Sequence, residues 1–165
     1  AVQSRPPGNQ GALLLPWFDP EIVPKVLIPG VHRHHLAADD VAGNCRAVCE
    51  CQMLAMRRHL ERAGQRPTEL RATGGASRNP LLLRIMADIF QAPVSVVQTA
   101  NSAGLGAALR AAQAIVKRPW SAVVAGFTDP EPGTTVDPDP ATRAVYEDLL
   151  SDYADFEEAV LQTLC

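Results

Sequence analysis

The sequence predicts an α/β domain, and three observations carry the prediction. Apolar residues recur at three- and four-residue steps from Val41 to Leu60 and again from Tyr146 to Leu164, which is the spacing of amphipathic helices. Between them stand two short strand-like segments, "ELRA" with alternating apolar residues and "PVSVVQ" with β-branched ones, each leading through a turn into another helical run. The order strand, turn, helix, strand, helix is that of an α/β unit, whose strands are expected to lie parallel through a right-handed crossover.

With 165 residues and a formal charge of −3, the chain is long enough to bury one proper core and carries no excess charge that would suggest a nucleic-acid surface. No apolar run approaches the roughly 20 residues needed to span a bilayer. The opening "AVQSRPPGNQ" has neither the apolar core nor the charge order of a secretory signal. A cytoplasmic address, without membrane or nucleic-acid partners, is the expectation. The opening also lacks methionine and is rich in Pro, Gly and Gln, as in a linker, so the chain reads as a piece of something longer.

Residues 1–38 read as an irregular, strand-rich lead-in. "ALLLPWF" is a short apolar run, and Pro16, Pro20, Pro24 and Pro29 forbid a long helix, so this part is expected to wrap the core without joining it. Residues 39–165 form the body. Asp39 or Asp40 caps a helix whose buried stripe is expected to be Val41, Cys45, Val48, Cys49, Met53, Met56 and Leu60, with Gly64 and Pro67 beyond its end. The strand "ELRA" ends at a glycine pair, after which Asn79 caps and Pro80 starts a helix through "LLLRIMADIF". "PVSVVQ" makes the next strand, and the helix "NSAGLGAALRAAQAIV" presents small residues on one side, where a neighbour can approach. "WSAVVAGF" is either a further strand or the end of that layer, and "TDPEPGTTVDPDP" is a loop. Asp139 and Pro140 open a final helix with Tyr146, Leu149, Tyr153, Phe156, Val160 and Leu164 on one stripe, the tyrosines belonging to the core.

Four cysteines (Cys45, Cys49, Cys51, Cys165) and the histidines His32, His34 and His35 invite a zinc reading. Helix geometry argues against it, because Cys45 and Cys49 lie about 40° apart while Cys51 is roughly 200° further round. The cysteines are read instead as small hydrophobes on a buried helix face, and no metal site is assigned.

The stretch "RATGGASRNPLLL", residues 71–83, is where chemistry could reside. A strand that ends in two glycines and leads to a capped helix is where α/β proteins receive ligands, and glycine lets the backbone approach them closely. Helix starts also favour phosphate. The spelling fits neither the P-loop nor the dinucleotide fingerprint, since "GGASRNP" lacks Lys-Ser/Thr and "GLGAAL" lacks a third glycine. On the residues alone the turn is either a ligand site or a tightly packed corner.

The residues from Glu69 to Ala112, "ELRATGGASRNPLLLRIMADIFQAPVSVVQTANSAGLGAALRAA", resemble the carboxy-terminal half of the FGGY family of carbohydrate kinases, which includes xylulokinase, glycerol kinase and gluconokinase. The family pattern is a strand, a Gly-Gly-Gly or Gly-Gly-Ala turn, a helix with "ADxxxxPV" and a second helix "xALGAAxxA". Upstream, "NCRAVCECQMLAMRRHLE" is similar to the "RAVLEGxAF" helix, with Glu50 in the glutamate position. "LLLPWFDPEIVP" is similar to "LPYxxGERTP", retaining Leu15, Pro16, Glu21 and Pro24, and the tail resembles the closing helix. Cys51 stands where the family has glycine, and Ile22 where it commonly has arginine.

This resemblance implies an actin-like ATPase (ribonuclease H-like) fold, with the chain most of the second of two domains and ATP in the cleft between them. It places Gly74, Gly75 and Ala76 against the phosphates and ribose and Asn79 at the adenine, with the helix from Ser102 packing beneath the cleft through Gly104, Gly106 and Ala107. Asp88 is then structural. The implied reaction moves the ATP γ-phosphoryl group, with Mg2+ on the phosphates, to a hydroxyl of a ketose or polyol, xylulose first among them. The catalytic aspartate, in a "GDxxAA"-like segment, and the first phosphate motif would precede residue 1, so no catalytic residue is assigned here and the chain alone is expected to bind ATP or ADP weakly and not to turn over. The sugar would be held mainly by the missing half, and a homodimer is compatible with the resemblance. The alternative is a catalytically inactive relative acting as a nucleotide sensor or an assembly module.

Overall fold

The leucine run near the head of the chain forms strand β1 (Leu13–Trp17), paired antiparallel with β2 (Gly30–His34) so that Leu13 faces His34 and Trp17 faces Gly30. The structure is a computed structural model, and it describes residues 2–97, 99 and 101–164. Leu13, Leu14, Leu15 and Trp17 are all buried, although successive strand residues point to opposite faces, so β1 is covered on both sides. The lead-in therefore contributes to the core, contrary to the expectation that it only wraps. Its prolines rule out helix but not strand, and Pro20, Pro24 and Pro29 gather in the connection between β1 and β2.

Helix α1 (Val41–Arg62) starts at Asp40, whose Oδ1 accepts from the Gly43 amide at 2.9 Å, and ends before Gly64, where φ is 71°. The helix lies where the spacing puts it, but its buried face is a different one. Val41, Cys45 and Met56 are exposed, while Arg46, Ala47, Glu50, Cys51, Leu54 and Arg57 turn inward beside Met53. The reason is a set of buried charges that find partners. Glu50 Oε1 accepts from the Gly8 amide at 3.0 Å, Arg46 Nε at 2.7 Å and the Tyr146 hydroxyl at 2.8 Å. Arg46 Nη1 also donates to the Arg5 carbonyl at 2.9 Å. Arg57 donates to the Ile89 carbonyl at 2.7 Å and to Glu147 at 2.6 Å. Burial pushes the Glu50 carboxyl above its ordinary range, and Arg46, Tyr146 and Gly8 pull it part of the way back.

The cysteines do not share one fate. Cys51 is the packed hydrophobe, with the Leu14 amide donating to its Sγ at 3.3 Å and burial pushing its thiol up to about 12. Cys45 is exposed and Cys49 half-buried, so they depart from the expected buried face, and Cys165 lies outside the described residues. His32 packs edge-on to Trp17, and His34 against His35 and Phe156.

Strands β3 (Leu70–Ala72) and β4 (Val94–Val96) pair in parallel, Leu70 beside Val94 and Ala72 beside Val96, joined by helix α2 (Pro80–Phe90). Asn79 caps α2, its Oδ1 accepting from the Leu81 amide at 3.0 Å, with Pro80 at the first position. The far edge of β4 is taken by Val136, which exchanges backbone hydrogen bonds with Val94 at 3.0 and 2.8 Å. That occupancy explains why "WSAVVAGF" adds no strand there. Residues Trp120–Val124 form a short helix, α4, with the Arg110 guanidinium 5.5 Å from the Trp120 ring.

Helix α3 (Ser102–Val116) is capped by Asn101, but only Leu109 is buried on it, and Ala103, Ala107 and Ala108 are exposed. Its small-residue side thus has no close neighbour among the described residues. A short 3-10 turn headed by Asp139 leads into α5 (Arg143–Thr163), whose Tyr146, Leu149 and Tyr153 are core residues. Asp88 on α2 accepts from the Asp139 amide at 2.8 Å, a structural bond between these elements. Among the described residues no helix is long and apolar enough to cross a membrane.

The main apolar cluster joins β1, α1, α2 and α5 through residues such as Leu13, Leu54, Ile85, Ile89 and Tyr146. A smaller one, Leu83, Ala87 and Val94, lies beneath the parallel pair. Glu50→Gln is expected to strand the buried Arg46 charge and cost about 3 kcal/mol, and Tyr146→Phe, which removes the hydroxyl's bonds to Glu50 and Arg46, about 2 kcal/mol. Urea unfolding of both variants checks this order.

Candidate functional site

The chain leaves β3 at Ala72 and turns at Gly74, where φ is 83° and ψ is −168°. A Cβ is not tolerated in that region of backbone space, so glycine is required by conformation. Gly75 is different. Its φ is ordinary, and a Cβ built there would meet nothing within 4 Å, so the residue leaves space open. A 3-10 turn, Gly75–Arg78, follows, held by Ser77, whose amide and Oγ both donate to the Gly74 carbonyl, at 3.3 and 2.7 Å. By helix geometry, the amides of Gly75 and Ala76 at the head of this turn have no partner within it.

Gly74 and Gly75 line a cleft of about 840 Å³ at the carboxyl ends of β3 and β4, the position where open α/β sheets receive ligands. The turn and the start of α2 form one wall, the end of β4 the floor, and the segment 131–136 the other wall. Ala76 and Asn79, the other two residues singled out from the sequence, do not line it. Ala76 is exposed on the turn, and Asn79 Oδ1 is engaged in capping α2. A second, mainly apolar cavity of about 420 Å³ adjoins the first and shares Val97 and Thr99 with it. Of the α3 residues expected beneath the cleft, Gly106 borders this second cavity, whereas Gly104 and Ala107 border neither.

Sequence reading missed Arg78, Glu131, Thr134 and Thr135, all of which line the main cleft. The segment "EPGTTV" looked like loop because of its proline and glycine, yet its Thr-Thr-Val run was a faint strand signal, and Val136 does extend the sheet. Neither the Arg78 guanidinium nor the Glu131 carboxylate makes an ion pair or a hydrogen bond among the described residues, so the cleft offers one cation and one anion to a ligand. Among the described residues no three His, Cys, Asp or Glu side chains converge as metal ligands would.

With the geometry in place, comparison with known proteins is informative. The sequence model of the "FGGY family of carbohydrate kinases, C-terminal domain" matches residues 3–115. The xylulose kinase of Rattus norvegicus is 36% identical over 172 residues, which covers 98% of this chain and 31% of that protein. Xylulose kinase 2 of Arabidopsis thaliana is 36% identical over 67% of this chain and 23% of its own length. The chain thus spans about a third or less of the curated relatives it matches. Among solved structures, xylulose kinase from Rhodospirillum rubrum superposes with a TM-score of 0.75 at 27% identity, covering 99% of this chain and 33% of that one. The ligand-bound xylulose kinase from Lactobacillus acidophilus superposes at 0.83 over 99% of this chain and 34% of that one, at 21% identity, a likeness of fold.

The two glycines are expected to respond differently to the same change. Gly74→Ala forces alanine into a glycine-only conformation and should cost about 2 kcal/mol. Gly75→Ala meets open space and should stay within about 0.5 kcal/mol of the parent. Thermal melts of the two variants measure the difference.

Proposed function

The chain belongs to the FGGY family of carbohydrate kinases, matching its C-terminal domain in sequence and its actin-like ATPase fold in structure, and from this premise we propose that the Gly74–Gly75 cleft holds the phosphates of ATP or ADP. The observation that supports it best is the open space at Gly75 beside a glycine-only conformation at Gly74, both facing one cleft. A polyphosphate fits such a place because bare backbone approaches it closely and the amides at the head of the turn have no partner within it. Arg78 adds a positive charge on the same wall. Asn79, implied by the resemblance as an adenine contact, lies outside the lining of this cleft with Oδ1 on the helix cap, so its part in the site is through the turn it closes. Ala76 extends the backbone of the turn past Gly75.

The reaction proposed for the parent enzyme is transfer of the ATP γ-phosphoryl group to a hydroxyl of a ketose or polyol, with xylulose the first candidate because xylulose kinases recur among the relatives. Phosphoryl transfer is largely positioning and charge stabilisation, and it needs groups on both sides of the phosphate together with a base. The described residues supply one side. Mg2+ would ride on the phosphates, since among the described residues no carboxylate cluster is built to hold it. The carboxylate in the cleft, Glu131, lies across β4 from the glycine turn, and the base is assigned to the part of the parent enzyme outside this chain.

With ATP, Mg2+ and xylulose in a coupled assay, the parent protein is expected to form ADP in step with sugar, and this 165-residue chain to form none. Gly75→Ala in the parent protein should raise the KM for ATP with little change in thermal stability. Turnover by the isolated chain would overturn the division of labour, and a parent protein that binds ATP without phosphorylating any sugar would favour a nucleotide sensor.

A further inference from the structure

The two unpaired charges of the cleft stand on different walls. Arg78 closes the turn after β3, whereas Glu131 lies in the segment on the far side of β4. Glu131 is held there from both ends of its peptide unit. Its amide donates to the Val96 carbonyl at 2.8 Å, and its carbonyl accepts from Thr134 Oγ1 at 2.7 Å. The same Thr134 Oγ1 accepts from the Val96 amide at 3.1 Å, which locks residues 131–134 onto the strand edge. A half-buried carboxylate is therefore presented to the cleft from a fixed backbone, with no protein partner among the described residues.

A carboxylate only accepts hydrogen bonds, and it repels phosphate. The ligand must accordingly turn its anionic end toward the glycine turn and Arg78, and its donor-bearing end toward Glu131. From the β3 side of the sheet to the row beyond β4 is two strand spacings, roughly 10 Å, a distance that a nucleoside diphosphate bridges. We propose that Glu131 is a specificity-determining residue of this cleft, whose carboxylate accepts from the donor groups of the nucleoside, either the ribose hydroxyls or the exocyclic amine of the base. This rests on the nucleotide reading of the cleft and adds an orientation and a selectivity to it. Thr134 cannot take the same part, because its hydroxyl already donates to Glu131 and accepts from Val96.

Calorimetric titration of the folded 165-residue chain with ADP, 2′-deoxy-ADP, 3′-deoxy-ADP and IDP tests it, alongside Glu131→Ala and Glu131→Gln. Wild type should prefer ADP by about tenfold, the size of one charge-assisted hydrogen bond, over the deoxy analogues or over IDP. The first pattern assigns the ribose as donor and the second the 6-amine. Glu131→Ala should weaken ADP about tenfold and abolish that preference, with Glu131→Gln in between and circular dichroism unchanged in both. Equal affinity for all four nucleotides, or a preference that survives in Glu131→Ala, would overturn the role of Glu131 while leaving the cleft a nucleotide site. Failure of the folded wild type to bind any of them would instead refute the nucleotide reading itself, and this inference with it.

Discussion

Helix α2 has to bury two apolar faces at once, and the rest of the structure is arranged around that requirement. Ile85, Ile89 and Phe90 enter the main cluster with α1 and α5, while Leu83 and Ala87 meet Val94 beneath the parallel strands. Each of the larger of these side chains contributes about 2 kcal/mol by its removal from water, and rotation of the helix would sacrifice one face to the other. Its phase is thus fixed. Because Asn79 and Pro80 open this helix, the turn that precedes it is fixed as well, and the glycines at 74 and 75 inherit their place at the cleft from the packing of α2.

Buried charges tie α2 to its neighbours. Arg57 reaches from α1 to the Ile89 carbonyl and to Glu147, and Asp88 binds the backbone at Asp139, so α2 is tied at its carboxyl end to both long helices. Glu50 performs a similar service for the head of the chain through Gly8, Arg46 and Tyr146. These groups are polar where an apolar residue would pack more cheaply, and in return they specify which neighbours meet.

Helix α1, the glycine turn and α2 were legible in the sequence because their signals are local: a capping aspartate, a glycine pair, Asn-Pro, and periodic apolar residues. The parallel pairing of β3 with β4 followed from their order. The inward face of α1 was not legible, since the burial of Arg46, Glu50 and Arg57 also depends on partners 32 to 100 residues away. Hydropathy assigns such residues to solvent. The role of β1 was obscured by Pro16, which reads as a breaker yet sits in a strand, and α4 by "WSAVV", a run too short for period to decide between helix and strand. At the cleft, both glycines were found by their local chemistry. The far wall was hidden because Glu131, Thr134 and Val136 reach β4 through tertiary pairing that no spacing announces.

The proposed placement of a nucleotide at the glycine turn can be tested directly. Amide chemical shifts of the nitrogen-15-labelled chain, followed while ADP is added to millimolar concentration, report on each backbone position separately. Binding in the cleft predicts saturable shifts at Gly74, Gly75 and Asn79. Shifts confined to other regions, or none at any concentration up to the millimolar range, would contradict the placement of the nucleotide at the glycine turn.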